Sequence, residues 1–119
     1  MIKVYVAGKY NDVSKKEIEK NIRKAETVAK KIASEGIFVY VPHMATAHWD
    51  NVNSYEYFTD LHMDFVKNWA TDILVIEGWK NSKGTITEIR IAEEMGLNIW
   101  YDIDELLAYE KKNKKRLEE

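Results

Sequence analysis

Glu88 is the residue whose surroundings most call for chemistry. It follows an apolar run, Asp72-Ile-Leu-Val-Ile-Glu77, and a polar turn from Gly78 to Gly84, in the stretch Thr85-Ile-Thr-Glu88 that opens a helix ending at Gly96. At about 100° per residue, Glu88 falls between Thr85, Ala92 and Met95 and beside Ile89, on the half-turn that must face a sheet. Two readings fit that placement. Thr85-x-x-Glu88 spells a capping box, in which the glutamate folds back onto an orphan backbone donor. Alternatively, an α/β sheet binds ligands beyond the carboxyl ends of its strands, where the next helix aims free N–H groups at the substrate, and Glu88 is then a reactive carboxylate. Spacing alone leaves both open.

Asp64 is a second carboxylate of interest. It stands one position before Phe65 on a helical stretch, with Asp60 one turn earlier on the same side. It is otherwise an ordinary solvated aspartate near a helix C-terminus, where the dipole disfavours negative charge. His43, His48 and His62 match no zinc spacing, so no metal is expected, and a histidine is more often a surface, capping or substrate-contacting residue. Gly8-Lys-Tyr-Asn11 lacks the glycines of a dinucleotide fingerprint, and the segment from Gly78 to Ser82 has too few for a Walker loop. No cofactor is implied. Trp69 and Trp100 read as packing residues, whereas Trp49 and Trp79, in loops, are the plausible stacking groups.

The elements that must position these residues alternate regularly. A strand over Ile2 to Ala7 ends at Gly8, and Ser14-Lys-Lys-Glu17 starts a helix whose apolar positions Ile18, Ile22, Ala25, Ala29 and Ile32 run to a stop at Gly36. Ile37 to Val41 is a β-branched and aromatic strand closed by Pro42. The connection from His43 to Asn53 is long for an α/β unit and carries His43, His48, Trp49 and Asp50. Asn53-x-x-Glu56 caps the next helix, with Phe58, Leu61, Phe65 and Trp69 as its expected buried stripe. After the third strand and the Glu88 helix, Leu97 to Tyr101 is a fourth strand, and Asp102-x-x-Glu105 starts a last helix that ends in a solvated charge run from Lys111 to Glu119. Four strand and helix pairs ask for an α/β fold: one doubly wound, Rossmann-like parallel sheet with helices on both faces. The order 2-1-3-4 places the ends of the first and third strands side by side, so the Gly8 loop and the turn from Ser82 to Glu88 share one crevice.

With 119 residues, 45% of them apolar, the chain suffices for one domain. A net charge of -2, from 18 basic and 20 acidic residues, leaves no footprint for nucleic acid or an anionic membrane. No cysteine is present, which removes disulfides and a thiol nucleophile. No apolar run approaches membrane-spanning length and no leader pattern precedes the first strand, so a cytoplasmic protein is expected.

Val-Tyr-Val-Ala-Gly8 at the first strand, Val-Pro-His43 after the second, the eight-residue step from Asp64 to Asp72, and Ser82-x-Gly84-Thr85-x-x-Glu88 together resemble the nucleoside 2-deoxyribosyltransferase superfamily. The spacing is similar to that of its 2'-deoxynucleoside 5'-phosphate N-hydrolases. The resemblance implies that Glu88 is a nucleophile on the anomeric carbon, that Asp64 helps protonate the leaving base, and that Tyr5 orients the glutamate. It further implies that Gly8 lets the backbone approach the sugar and that Ser82 contacts a 5'-phosphate, where transferases often carry aspartate. Lys9 and Asn11 stand where those hydrolases place small polar and arginine phosphate contacts. His43 would contact the ligand, Trp49 would stack on it, and Gly84 and Thr85 would complete the turn.

The implied reaction is that of a retaining glycosidase, on a nucleoside or nucleotide, within a homodimer or larger assembly. Tyr55, Tyr57 and Trp69 are offered for the interface. A phosphoribohydrolase of the cytokinin-activating type also uses Gly-Thr-x-x-Glu, but its Pro-Gly-Gly lead-in is replaced here by Asn81-Ser-Lys83. A non-catalytic nucleotide-binding module of the same fold is the third reading.

Overall fold

The computed structural model describes residues 1–118. Four strands, β1 (Lys3–Ala7), β2 (Phe38–Tyr40), β3 (Asp72–Val75) and β4 (Asn98–Trp100), form one parallel sheet in the order β2-β1-β3-β4. Val4 to Ala7 pair with Asp72 to Val75 at the centre, and the two edge strands are three residues each.

Period-two alternation along β1 explains the layering. Val4 and Val6 point into a cluster with Ala25, Ala29 and Ile32 of α1 (Lys15–Ser34) and Leu106 of α5 (Ile103–Glu118). Tyr5 and Ala7 point the other way, toward Met63 and Val66 of α3 (Tyr55–Asn68) and Ile89 and Ala92 of α4 (Lys83–Glu94). The sheet is therefore buried on both faces, as a parallel sheet requires.

Several expectations are revised. The segment from His43 to Asn53 is not all loop, because Pro42 occupies the first turn of a short helix, α2 (Pro42–Ala45), where its missing N–H costs nothing. The cap of α3 is Ser54, not Asn53: Ser54 Oγ accepts the Tyr57 N–H at 3.1 Å, and Asn53 Oδ1 instead accepts the Ser54 N–H. The residues of α3 buried against the sheet are Met63 and Val66, while Phe58, Leu61, Phe65 and Trp69 are only half-buried. The stripe is rotated because Phe65 stacks flat on Tyr40, at 3.7 Å between ring centroids and 10° between planes. In α5 the side chains of Lys111, Lys112, Lys114, Lys115 and Arg116 are exposed, and Glu119 lies outside the described residues. No helix among the described residues is long and apolar enough to cross a membrane.

Candidate active site

A cleft of about 670 Å³ opens at the carboxyl ends of β1, β2 and β3. Its walls are the segment from Gly8 to Asn11 after β1, Pro42 and His43 after β2, the stretch from Asn81 to Glu88 after β3, and one side of α3. This is the crevice that a 2-1-3-4 order creates where chain connections depart in opposite directions.

Glu88 lines the cleft, and its carboxyl is not a cap. The cap of α4 is Ser82, whose Oγ accepts both the Thr85 N–H at 3.2 Å and the Thr85 hydroxyl at 2.8 Å. The helix thus begins at Lys83, and Glu88 lies a turn and a half inside it, beyond reach of the orphan donors. Its carboxylate is held instead by Tyr5, whose phenol donates to Glu88 Oε2. Burial pushes the Glu88 carboxyl up to about 7, against the opposing pull of the Tyr5 hydrogen bond. Burial, then the charge and hydrogen bond of Glu88 and the nearby Tyr40, holds the Tyr5 phenol well above its ordinary value, so it remains a donor. A poorly solvated carboxylate with one oxygen engaged is equipped to act as nucleophile or base. Replacing Ser82 with alanine removes the cap and is expected to lower stability by about 1 kcal/mol in urea denaturation.

The other anticipated residues divide sharply. Lys9, Asn11, His43, Gly84 and Thr85 line the cleft along with Gly8 and Ser82. The Lys9 ammonium is partly committed, lying 3.2 Å from Asp12. Gly8 serves packing as well: a Cβ there would overlap the Ile76 side chain. Asp64 does not join the site. It is exposed and accepts a 2.7 Å hydrogen bond from Asn68, because the cleft-facing positions of α3 are Tyr55, Phe58, Thr59, His62 and Met63, on the other side of the helix. Trp49 is exposed and is not part of the cleft wall. Trp69 is half-buried, edge-on to Tyr40 and Phe65, which leaves Tyr55 and Tyr57 as the exposed aromatics of that helix.

His62 is the residue whose role in the cleft wall was missed. Tyr40 Oη lies 3.2 Å from its Nδ1 and Thr46 Oγ1 lies 3.3 Å from its Nε2, which fixes the ring; burial lowers its pKa and pushes the Tyr40 phenol up to about 12. The signal is its i+7 spacing from Tyr55, obscured because the expected stripe runs through Phe58, Leu61, Phe65 and Trp69. The histidines are each separately engaged: His48 pairs with Glu19 at 2.7 Å, and His43 Nε2 lies 3.1 Å from the Lys9 carbonyl. Among the described residues no group of three acidic or histidine side chains is placed to hold a metal ion.

A parallel 2-1-3-4 sheet wrapped by helices, with Glu88 in the cleft at its switch point, defines a Rossmann-like α/β domain. The chain belongs to a family described as a domain of unknown function (DUF4406), whose model matches residues 2–101 and so covers everything from β1 through β4. No curated protein matches the chain.

Proposed function

We propose that the protein cleaves or transfers the N-glycosidic bond of a nucleoside, deoxynucleoside or the corresponding 5'-monophosphate, with Glu88 as nucleophile. The observation that carries this reading is the Glu88 carboxyl itself: pushed up to about 7, held by Tyr5 and facing a cleft of about 670 Å³. Ionised Glu88 attacks the anomeric carbon as the bond to the base breaks, and the electron pair leaves on the base nitrogen, which takes up a proton. Water then attacks the glycosyl ester, or a second base does so in a transfer, and returns Glu88 as carboxylate. Asp64 is not positioned to protonate the base in this arrangement; His62, fixed by Tyr40 and Thr46, and Tyr55 are the titratable groups that α3 presents to the cleft. The start of α4, with Ser82 and Lys83 at the cleft, suits the sugar's 5' end, whether hydroxyl or phosphate.

Chromatographic detection of free base from a panel of nucleosides and nucleoside monophosphates tests the proposal. Failure of micromolar protein to release base from any member would refute it. The assembly is expected to be a homodimer or larger, because Val52, Tyr55 and Tyr57 are exposed close together in sequence where α3 begins. Sedimentation showing only a 14.0 kDa species at micromolar concentration would contradict that.

A further inference from the structure

Glu110 breaks the pattern of its own helix. On α5, Ile103, Leu106 and Leu107 form the stripe packed against the core, and at about 100° per residue Glu110 falls between Leu106 and Leu107, at the centre of that stripe. The residue is only 8% exposed. A carboxylate so placed is ordinarily paired, because burying an uncompensated charge is costly. Among the described residues Glu110 has no ion-pair or hydrogen-bond partner. Its oxygens are not sealed in, however. Glu110 lines a second pocket, of about 510 Å³, and the described side-chain atom that lacks both a partner and solvent contact belongs to His43.

This pocket lies at the pole opposite the cleft. Ile2 immediately precedes β1 and Ile37 immediately precedes β2, so the pocket sits at the amino ends of the strands, whereas the cleft sits at their carboxyl ends. Both isoleucines belong to the buried core and give the pocket an apolar wall. The 20-residue helix α1 also ends here, at Gly36, and the free carbonyls of its last turn carry the negative end of the helix dipole. That end already attracts one cation: Lys114 donates to the Glu35 carbonyl at 3.4 Å, not to Glu110 one turn away on its own helix. Carboxylate and helix end are both electronegative, and both only accept hydrogen bonds.

We propose that this second pocket binds a small organic cation, a protonated amine or a guanidinium on a short apolar stem, whose head group donates to the Glu110 carboxylate while its stem lies on Ile2 and Ile37. The site is independent of the nucleoside reading of the cleft. A phosphate or carboxylate ligand would meet like charge at Glu110 and at the end of α1. A calcium or magnesium ion needs about six oxygen ligands, and one carboxylate supplies at most two. Lys114 and Arg116 stand at the rim, so a single positive charge is favoured over a polycation.

Proton–nitrogen correlation NMR of the labelled protein tests the site. Butylammonium and butylguanidinium, each titrated at millimolar concentrations, probe the two head groups, while butanol and butyrate keep the stem and lack the cation. At least one of the two cations should give saturable shifts at Ile2, Gly36, Ile37 and the α5 residues flanking Glu110, with butanol and butyrate binding on the order of tenfold or more weakly.

Glu110→Gln keeps the side-chain shape and removes the charge, so it should weaken cation binding by a similar factor. Because the carboxylate has no partner within the described chain, the same substitution should leave the urea midpoint unchanged or raised. No saturable shift with either cation, shifts centred on the cleft, equal affinity for butanol or butyrate, undiminished cation binding in Glu110→Gln, or a lower urea midpoint in that variant would each overturn the inference.

Discussion

Glu88→Gln is expected to reduce base release by at least about 10³-fold, because an amide cannot form the glycosyl ester on which both hydrolysis and transfer depend. Incubating wild-type protein with a 2'-fluoro-2'-deoxynucleoside, whose fluorine slows oxocarbenium formation, should leave a sugar adduct on Glu88 detectable by intact mass and peptide mapping. The acid limb of kcat/KM should fall near pH 7, where the buried carboxyl ionises. In Tyr5→Phe that limb should move to higher pH, because the Tyr5 hydrogen bond favours the charged form and its loss lets burial raise the carboxyl further. Wild-type turnover in Glu88→Gln would remove Glu88 from the chemistry. An unshifted limb in Tyr5→Phe would mean that the titrating group is elsewhere.

The same substitution should make the protein more stable, and by a pH-dependent amount. The Glu88 carboxyl holds its proton up to about pH 7 when folded, against an ordinary value of 4.5 when unfolded. Between those values the folded state binds more protons, so wild-type stability falls as pH rises through that window, by about 3 kcal/mol in all. Glutamine carries no such penalty. Glu88→Gln should therefore match wild type near pH 4 and exceed it near pH 8, with a Tm higher by roughly 10 °C there for a domain of this size. A capping glutamate would behave in the opposite sense, losing stability on substitution at every pH above its own titration. Thermal melts of both proteins at pH 4, 6 and 8 separate the cases, and a Glu88→Gln protein less stable at pH 8 would show that the carboxylate is held by more than Tyr5.

The fold was legible because its signals are local and periodic. Alternating apolar strands, Ser14 ahead of α1 and glycines at helix ends each constrain a few neighbouring residues; the strand order is not written in them, and 2-1-3-4, expected only as the doubly wound arrangement, is the order the sheet has. Glu88 was legible for a related reason, since a carboxylate on a sheet-facing half-turn conflicts with its surroundings. Asp64 and His62 were not, because their assignment depends on how α3 is rotated about its axis. That rotation is set by Phe65 stacking on Tyr40, a contact between residues 25 positions apart in sequence. The capping-box reading of α4 started the helix three residues late because Ser82 and Thr85 both have capping chemistry; the Thr85 N–H donating to Ser82 Oγ and the tertiary contact of Glu88 with Tyr5 distinguish them.

Tyr5 belongs to one of the two central strands and to the core under α3 and α4, yet its hydroxyl holds the carboxylate in the cleft. The Glu88 end of the cleft is thereby tied to residues that the fold itself cannot spare, while much of the remaining wall comes from loops and helix ends such as the α2 to α3 connection. Substitutions in that connection can remodel which ligand is admitted at little cost to folding. A change at Tyr5 disturbs the Glu88 carboxylate and the packing together. Divergence within the family should therefore appear as many ligand preferences around one unchanging Tyr5 and Glu88 pair.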